Sequence, residues 1–132
     1  MRERVLFLAL LREWFKAIVY DGKREEYRAL NPYWVKRLFE PTTEFAKKNW
    51  QMLFGRKLYD TNRVVFYESV KEALKTRCLR PKDFSEVEFC LGYPKKDDTE
   101  RRKRYKLTGI KVGKGKREWG APFNEVIIIS FE

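Results

Sequence analysis

The longest apolar runs of this chain are short, and they lie near the two ends of the sequence. One run covers Val5 to Leu11, and the other covers Val126 to Ile129. Both fall far short of the ~20 apolar residues that a membrane-spanning helix needs. Runs of this length are typical of strands, and we expect a strand buried on both faces at Val5 to Leu10 and a central strand at Val126 to Phe131. The sequence therefore predicts a globular fold with no membrane partner.

The size and charge of the chain predict one small, basic domain. Its 132 residues, of which 43% are apolar and 16% aromatic, suffice to form a single packed core. Thirty Lys and Arg residues against nineteen Asp and Glu residues give a formal net charge of +11. A surplus of this size attracts polyanions. We therefore expect nucleic acid to be the partner.

The chain contains two cysteines, Cys78 and Cys90, and no histidine. Two distant cysteines without histidine cannot form a zinc knuckle, so the sequence predicts no metal and no cofactor. Reduced thiols favour a cytoplasmic location, although one bridge between the two cysteines stays open. The lack of histidine excludes catalytic triads that use an imidazole. Any catalysis must use Lys, Glu, Asp, Tyr, Arg or Cys.

The order of the predicted elements places helices early and strands late. The predicted helices are 11–18, which ends at Asp21-Gly22, a short helix that begins at Asn31-Pro32, and a second helix over 42–55 that forms a helical hairpin with it. The predicted strands are 5–10, 23–30, 86–91, 105–112 and 126–131. Val64 to Tyr67 fits either a strand or the start of a helix. The pattern favours an α+β fold with a small barrel of five or six strands.

One candidate site follows the Asp21-Gly22 turn. Glu26 and Arg28 share a face of the predicted strand, and Lys23 at its entrance can turn to either side. An ammonium, a carboxylate and a guanidinium within reach of one another could hold a planar ligand such as a base. The alternative is a solvated edge strand that carries one ion pair.

A second candidate is the basic segment from Lys95 to Arg117. It contains eleven Lys and Arg residues, and with Glu118 it contains four acidic residues, so it contributes +7 (11 − 4) of the net charge. Such clustering is typical of a surface that follows phosphates, and Tyr93, Tyr105 and Trp119 offer rings on which bases could stack. The alternative is a solvated hairpin loop.

A third candidate is the glycine-rich stretch Gly113 to Pro122. Its alternating glycines permit close approach of the backbone to a ligand, and Lys114, Lys116 and Arg117 supply positive charge. It does not match the loop that binds nucleotide phosphates in other proteins. Without further context this stretch favours a tight β-turn, with Trp119 packed as a lid on the barrel.

These motifs, in this order, resemble the ASCH domain family. The resemblance rests on Lys23-x-x-Glu26-x-Arg28, the Gly92-Tyr93 pair after a strand, the segment from Glu118 to Pro122, and the closing Val-Ile-Ile-Ile strand. It spans nearly the whole chain as a single domain over 1–132, with a helical insertion at about 41–80. The family implies a PUA-like β-barrel and RNA binding.

The resemblance also implies an enzymatic alternative. One bacterial group of the family hydrolyses acetylated cytidine, and a ribonuclease activity is associated with another. Lys23 and Arg28 match the strand motif of the amidohydrolases, whereas Glu26 stands where that group has threonine. A hydrolase of this kind would use Lys23 as nucleophile or base and Glu26 as proton carrier.

We rank binding of RNA or a modified nucleoside first. The binding residues expected on this view are Arg28, Tyr93, Lys114, Lys116, Arg117 and Trp119. Lys23, Glu26 and Arg28 are expected to line one cleft together with aromatic side chains from the Tyr93 and Trp119 regions.

Overall fold

The structure is a computed structural model that describes residues 4–132, and this part of the chain forms two compact units. The first unit contains the residues up to Tyr27 and those from Asp83 onward. The second unit contains Arg28 to Lys82.

The described residues form seven strands, six α-helices and one 3-10 helix. The strands are β1 (Val5–Leu10), β2 (Glu25–Ala29), β3 (Phe39–Pro41), β4 (Leu79–Pro81), β5 (Glu86–Leu91), β6 (Arg102–Gly113) and β7 (Val126–Phe131). The helices are α1 (Arg12–Tyr20), α2 (Pro32–Leu38), α3 (Glu44–Lys48), α4 (Trp50–Phe54), α5 (Arg56–Thr61), α6 (Arg63–Lys75) and the 3-10 helix Arg117–Trp119.

Five strands form a mixed sheet in the order β1-β5-β6-β7-β2. β1 runs parallel to β5, whereas β5 with β6 and β6 with β7 are antiparallel. In the described chain β1 and β2 are the two ends of this order, so the sheet is open. The structure confirms the α+β class and shows an open sheet where the sequence suggested a closed barrel.

The strand β1 buries only one of its faces. Leu6, Leu8 and Leu10 are buried, while Phe7 between them is 51% exposed. In the described part of the chain, the face of β1 that carries Phe7 and Ala9 stays exposed. The prediction of a strand buried on both faces is therefore wrong, because a continuous apolar run does not distinguish an edge strand from a central one. β7 is an interior strand of the sheet, between β6 and β2, with Ile127 and Ile129 fully buried.

The helix α1 ends at the predicted turn. Phe15 and Ile18 are buried, whereas Trp14 is only partly buried. Gly22 adopts a φ of 76°, a left-handed conformation that favours glycine, and the Lys23 N–H then donates to the Ala17 carbonyl at 3.1 Å. The predicted stop at Asp21-Gly22 is confirmed.

The second unit is helical around the small antiparallel pair β3 and β4. The Asn31 side chain accepts a hydrogen bond from the Trp34 N–H at 2.9 Å and caps α2, as predicted. Asn62 caps α6 in the same way, so the ambiguous segment Val64 to Tyr67 is helical. The helices α3 to α6 lie in the range 41–80, and the status of that range as an insertion stays a prediction. Within the described residues, no helix has both the length and the apolar character needed to cross a membrane.

Candidate nucleic-acid interface

The side chain of Lys23 is fully buried in the first unit. It is 0% exposed, and its Nζ atom lies 2.8 Å from Oε1 of Glu26, which is 4% exposed. The sequence suggested a lysine free to turn to either side at a strand entrance, and this expectation is wrong. The residue precedes β2, and the glycine turn after α1 directs it into the interior. Lys23 and Glu26 therefore form an internal ion pair.

Two aromatic rings complete the surroundings of the Lys23 ammonium. Its Nζ atom lies 4.5 Å from the centroid of the Trp14 ring and 5.8 Å from that of Tyr27. A ring face attracts a cation, and the attraction is strongest where water is excluded. The carboxylate and the rings together offset the cost of removing this charge from water, which is several kcal/mol for a single buried ion.

Tyr27 connects this buried cluster to the loop between β6 and β7. Its hydroxyl donates to Oε1 of Glu25 at 2.7 Å and accepts the Lys116 N–H at 2.9 Å. Burial raises the pKa of Tyr27 well above its ordinary value, and the neighbouring Glu25 carboxylate raises it further, although the Lys116 N–H acts in the opposite direction. The hydroxyl therefore keeps its proton and holds the loop backbone.

Two glycines let the same loop approach the aromatic rings closely. A Cβ atom on Gly115 would lie 2.3 Å from Cε1 of Tyr27, and one on Gly120 would lie 2.6 Å from Cζ2 of Trp14. Gly120 also has a φ of 94°. Gly115 and Gly120 thus permit close contacts within the protein, whereas approach to a ligand was the less favoured of the two sequence interpretations.

The loop presents its charged side chains to solvent. Lys114, Lys116 and Arg117 are all exposed. Within residues 4–132, none of the three forms an ion pair with a carboxylate. The Lys116 ammonium lies 4.2 Å from the centroid of Trp119, and the Arg117 guanidinium lies 3.5 Å from that of Phe123. We call residues 114–123 the basic loop.

Other cations of the predicted basic segment are neutralised within the fold. Arg102 and Arg104 contact the buried Glu88 at 3.3 and 3.0 Å, and Arg101 contacts Asp98 at 3.4 Å. Glu88 lies outside the segment, so its pairing offsets part of the +7, whereas the charge of Asp98 is already counted in that figure. The unpaired charge of the basic loop therefore contributes more to the surface potential than the arginines of β6.

Two further predicted site residues are Arg28 and Tyr93. Arg28 belongs to the second unit, where its guanidinium lies 5.2 Å from the centroid of Trp34. Tyr93 is 97% exposed, so it does not line a cleft with Lys23. Of the three charged residues in the strand motif, the first unit brings together Lys23 and Glu26.

The sequence alone does not indicate the contacts of Trp14, Tyr27 and Phe123. Trp14 has the helical spacing of a residue that packs in the core, and Tyr27 lies in a charge-rich strand, so neither pattern indicates contact with Lys23. Tyr27 follows Lys23 by four residues, and this short separation is only a weak indication that the ammonium lies beside the ring. Phe123 follows the loop proline directly, and only the fold shows that it lies under Arg117.

The two cysteines are both free. Burial raises the pKa of the Cys90 thiol, and although the nearby Arg102 acts in the opposite direction, the net shift is upward. Such a shift disfavours the reactive thiolate. Among the residues that the structure describes, no group of three His, Cys, Asp or Glu side chains is placed to hold a metal ion.

Replacement of Tyr27 by Phe tests how the basic loop is held. We expect a loss of about 1 kcal/mol of unfolding free energy near neutral pH. The variant lacks the hydroxyl, so its hydrogen bonds to Glu25 and to the Lys116 N–H are both lost. A raised pKa in the folded state stabilises that state below pH ~10, and this contribution is lost as the pH rises further. The difference between wild type and Tyr27→Phe should therefore shrink above pH ~10. Urea unfolding of both proteins on either side of that pH measures it, and a constant or growing difference would contradict this role.

Comparison with protein-family models, with curated proteins and with solved structures finds no match to this chain.

Proposed function

We propose that this chain binds single-stranded RNA through the basic loop, as an ASCH-type domain of the PUA-like class. The observation that carries the proposal is the group of exposed cations on a loop that is anchored to the partly buried rings of Trp14 and Tyr27. Anchoring from within lowers the entropy that such a loop loses on binding a ligand. The order of the sequence motifs supports the family assignment.

The cations of the basic loop suit contacts with a phosphate backbone. Lys114, Lys116 and Arg117 lie within four consecutive residues, so they can reach neighbouring phosphates of one strand. Each phosphate neutralised in this way releases condensed counterions, which favours binding at low salt. Because no carboxylate of the described chain pairs with these three side chains, binding does not first require breaking an ion pair.

The aromatic residues of the basic loop suit contacts with bases. Phe123 is 76% exposed with the Arg117 guanidinium stacked on it, and Trp119 lies beneath Lys116. Aromatic rings and planar guanidinium groups are the surfaces on which unpaired RNA bases stack. An unpaired strand exposes both its bases and its phosphates, so it matches this combination better than a duplex does.

The buried pair of Lys23 and Glu26 supports binding over hydrolysis. A nucleophile or a general base must reach its substrate, and Lys23 is 0% exposed. Hydrolysis of acetylcytidine or of RNA would require the basic loop to leave Trp14 and Tyr27. On the present proposal the pair supports the rings against which the loop packs.

The salt dependence of RNA affinity tests the proposal. With three phosphate contacts on a single strand, log K should fall with log salt at a slope of about −2. Affinity should then decrease roughly 20-fold as salt increases from about 50 mM to about 200 mM. Fluorescence anisotropy with a labelled single-stranded oligoribonucleotide measures this change. An affinity that does not vary with salt would remove the basic loop from the binding role, and recovery of shortened RNA would support the ribonuclease alternative.

A further inference from the structure

A separate cavity lies in the second unit. Its volume is about 440 Å³, and it is lined by residues of α2, β3, α3 and α4 and by the residue that follows β4. This volume is within the range of about 300–1,000 Å³ that small-molecule sites occupy. The basic loop belongs to the first unit, so the two sites share no residue.

Two aromatic residues line this cavity, and one of them is accessible to a ligand. Phe39 is buried in β3, and Trp50 opens α4 and is partly exposed. The Trp50 ring packs edge to face against Phe54 with 4.8 Å between their centroids, which restricts its orientation. A partly exposed indole held in this way offers a flat surface to a planar ring.

Three lysines of the cavity supply positive charge. These are Lys36 on α2, Lys47 on α3 and Lys82 after β4. Lys47 contacts Glu44 at 3.4 Å on the surface, and such exposed pairs are weak. Lys36 and Lys82 form no ion pair within residues 4–132.

The one carboxylate of the cavity is already engaged. Oε1 of Glu40 accepts a hydrogen bond from Nε of Arg80 at 2.9 Å. The negative charge of Glu40 is thereby balanced from outside the cavity, since Arg80 is not one of the lining residues. The cavity therefore keeps a surplus of positive charge next to an aromatic surface.

We infer that this cavity binds a nucleoside monophosphate. The base would pack against the partly exposed ring of Trp50, and the phosphate would lie among the three lysines. A base that carries a phosphate can come from a free nucleotide or from a nucleotide within an RNA strand. The chemistry of recognition is the same in both cases.

Titration of the full chain with adenosine 5′-monophosphate tests this site. We expect the nucleotide to bind about tenfold or more tightly than adenosine, because a charge-assisted contact to phosphate contributes at least that factor. The variant Lys36→Gln/Lys82→Gln should weaken nucleotide binding about tenfold or more and leave the affinity for adenosine unchanged. Lys75→Gln is the matched control, since Lys75 is exposed on α6 outside the cavity, and it should bind as wild type does.

Four results would overturn the inference, and the first three concern the cavity itself. They are equal affinity for adenosine and its monophosphate, unchanged nucleotide binding by the double variant, and an equal loss in Lys75→Gln. Loss of nucleotide binding on neutralising the basic loop would also overturn it, because the ligand would then occupy the first unit. Once the site is established, a short oligoadenylate is added to the loop variant with the nucleotide bound. Displacement of the nucleotide identifies an RNA strand as the source of the ligand, and lack of displacement identifies the free nucleotide.

Discussion

Replacement of Lys23 by Met is expected to destabilise the protein by about 3–5 kcal/mol, because it removes the ammonium that lies 2.8 Å from the buried carboxylate of Glu26. Methionine keeps the approximate length of the side chain, so loss of charge rather than loss of volume dominates the effect. The attraction of the ammonium to the Trp14 ring is lost at the same time. Urea or thermal unfolding measures the change.

Two further variants separate charge from packing. The double variant Lys23→Met/Glu26→Met is expected to be more stable than Lys23→Met alone, since it removes both charges from the interior. Lys16→Met is the control, because Lys16 is an exposed lysine on α1 and should change stability by only about 0.5 kcal/mol. If Lys23→Met is as stable as Lys16→Met, the ion pair does not stabilise the first unit.

Local sequence signals predicted the elements of this fold well. Asp21-Gly22 ends α1, Asn31 caps α2, and the strand at Val126 to Phe131 has the predicted bounds. Each of these depends on a few neighbouring residues whose preferences for turns, caps or strands are strong. Closure of the sheet depends on which distant strands pair, and no local pattern in β1 or β2 determines that.

The candidate site was predictable in part, for the same reason. The spacing of Lys23 and Glu26 indicated that the two charges could meet, and the clustered lysines indicated a basic surface. The burial of Lys23 depends on Trp14 in α1 and on the basic loop about ninety residues further along the chain. Likewise, the pairing of Arg102 and Arg104 with Glu88 depends on the register between β5 and β6. Contacts of this range follow from the packing of the whole unit.

Neutralising the basic loop should produce the largest functional effect. The variant Lys114→Gln/Lys116→Gln/Arg117→Gln removes three exposed cations and retains both glycines that pack against Tyr27 and Trp14. Loss of three phosphate contacts should reduce affinity for a single strand roughly 50-fold near 0.15 M salt. The salt dependence should nearly disappear, because no loop contact would then release counterions. Stability should change little, since these side chains are exposed and lack ion pairs within residues 4–132.

A variant with the same charge change elsewhere provides the control. Lys48, Lys57 and Lys75 are exposed lysines of the second unit, and their combined replacement by Gln lowers the net charge by the same three units. Long-range attraction of RNA to the protein as a whole depends on net charge and should fall alike in both variants. The difference between the two variants therefore isolates the direct contacts of the basic loop.

The RNA affinity of these two variants, measured side by side by fluorescence anisotropy at about 0.15 M salt, tests the central proposal most directly. The proposal predicts a roughly 50-fold loss for the loop variant and only a small loss for the control variant. Equal affinities for the two variants would contradict it, because RNA would then respond to the overall charge of the protein and not to the basic loop.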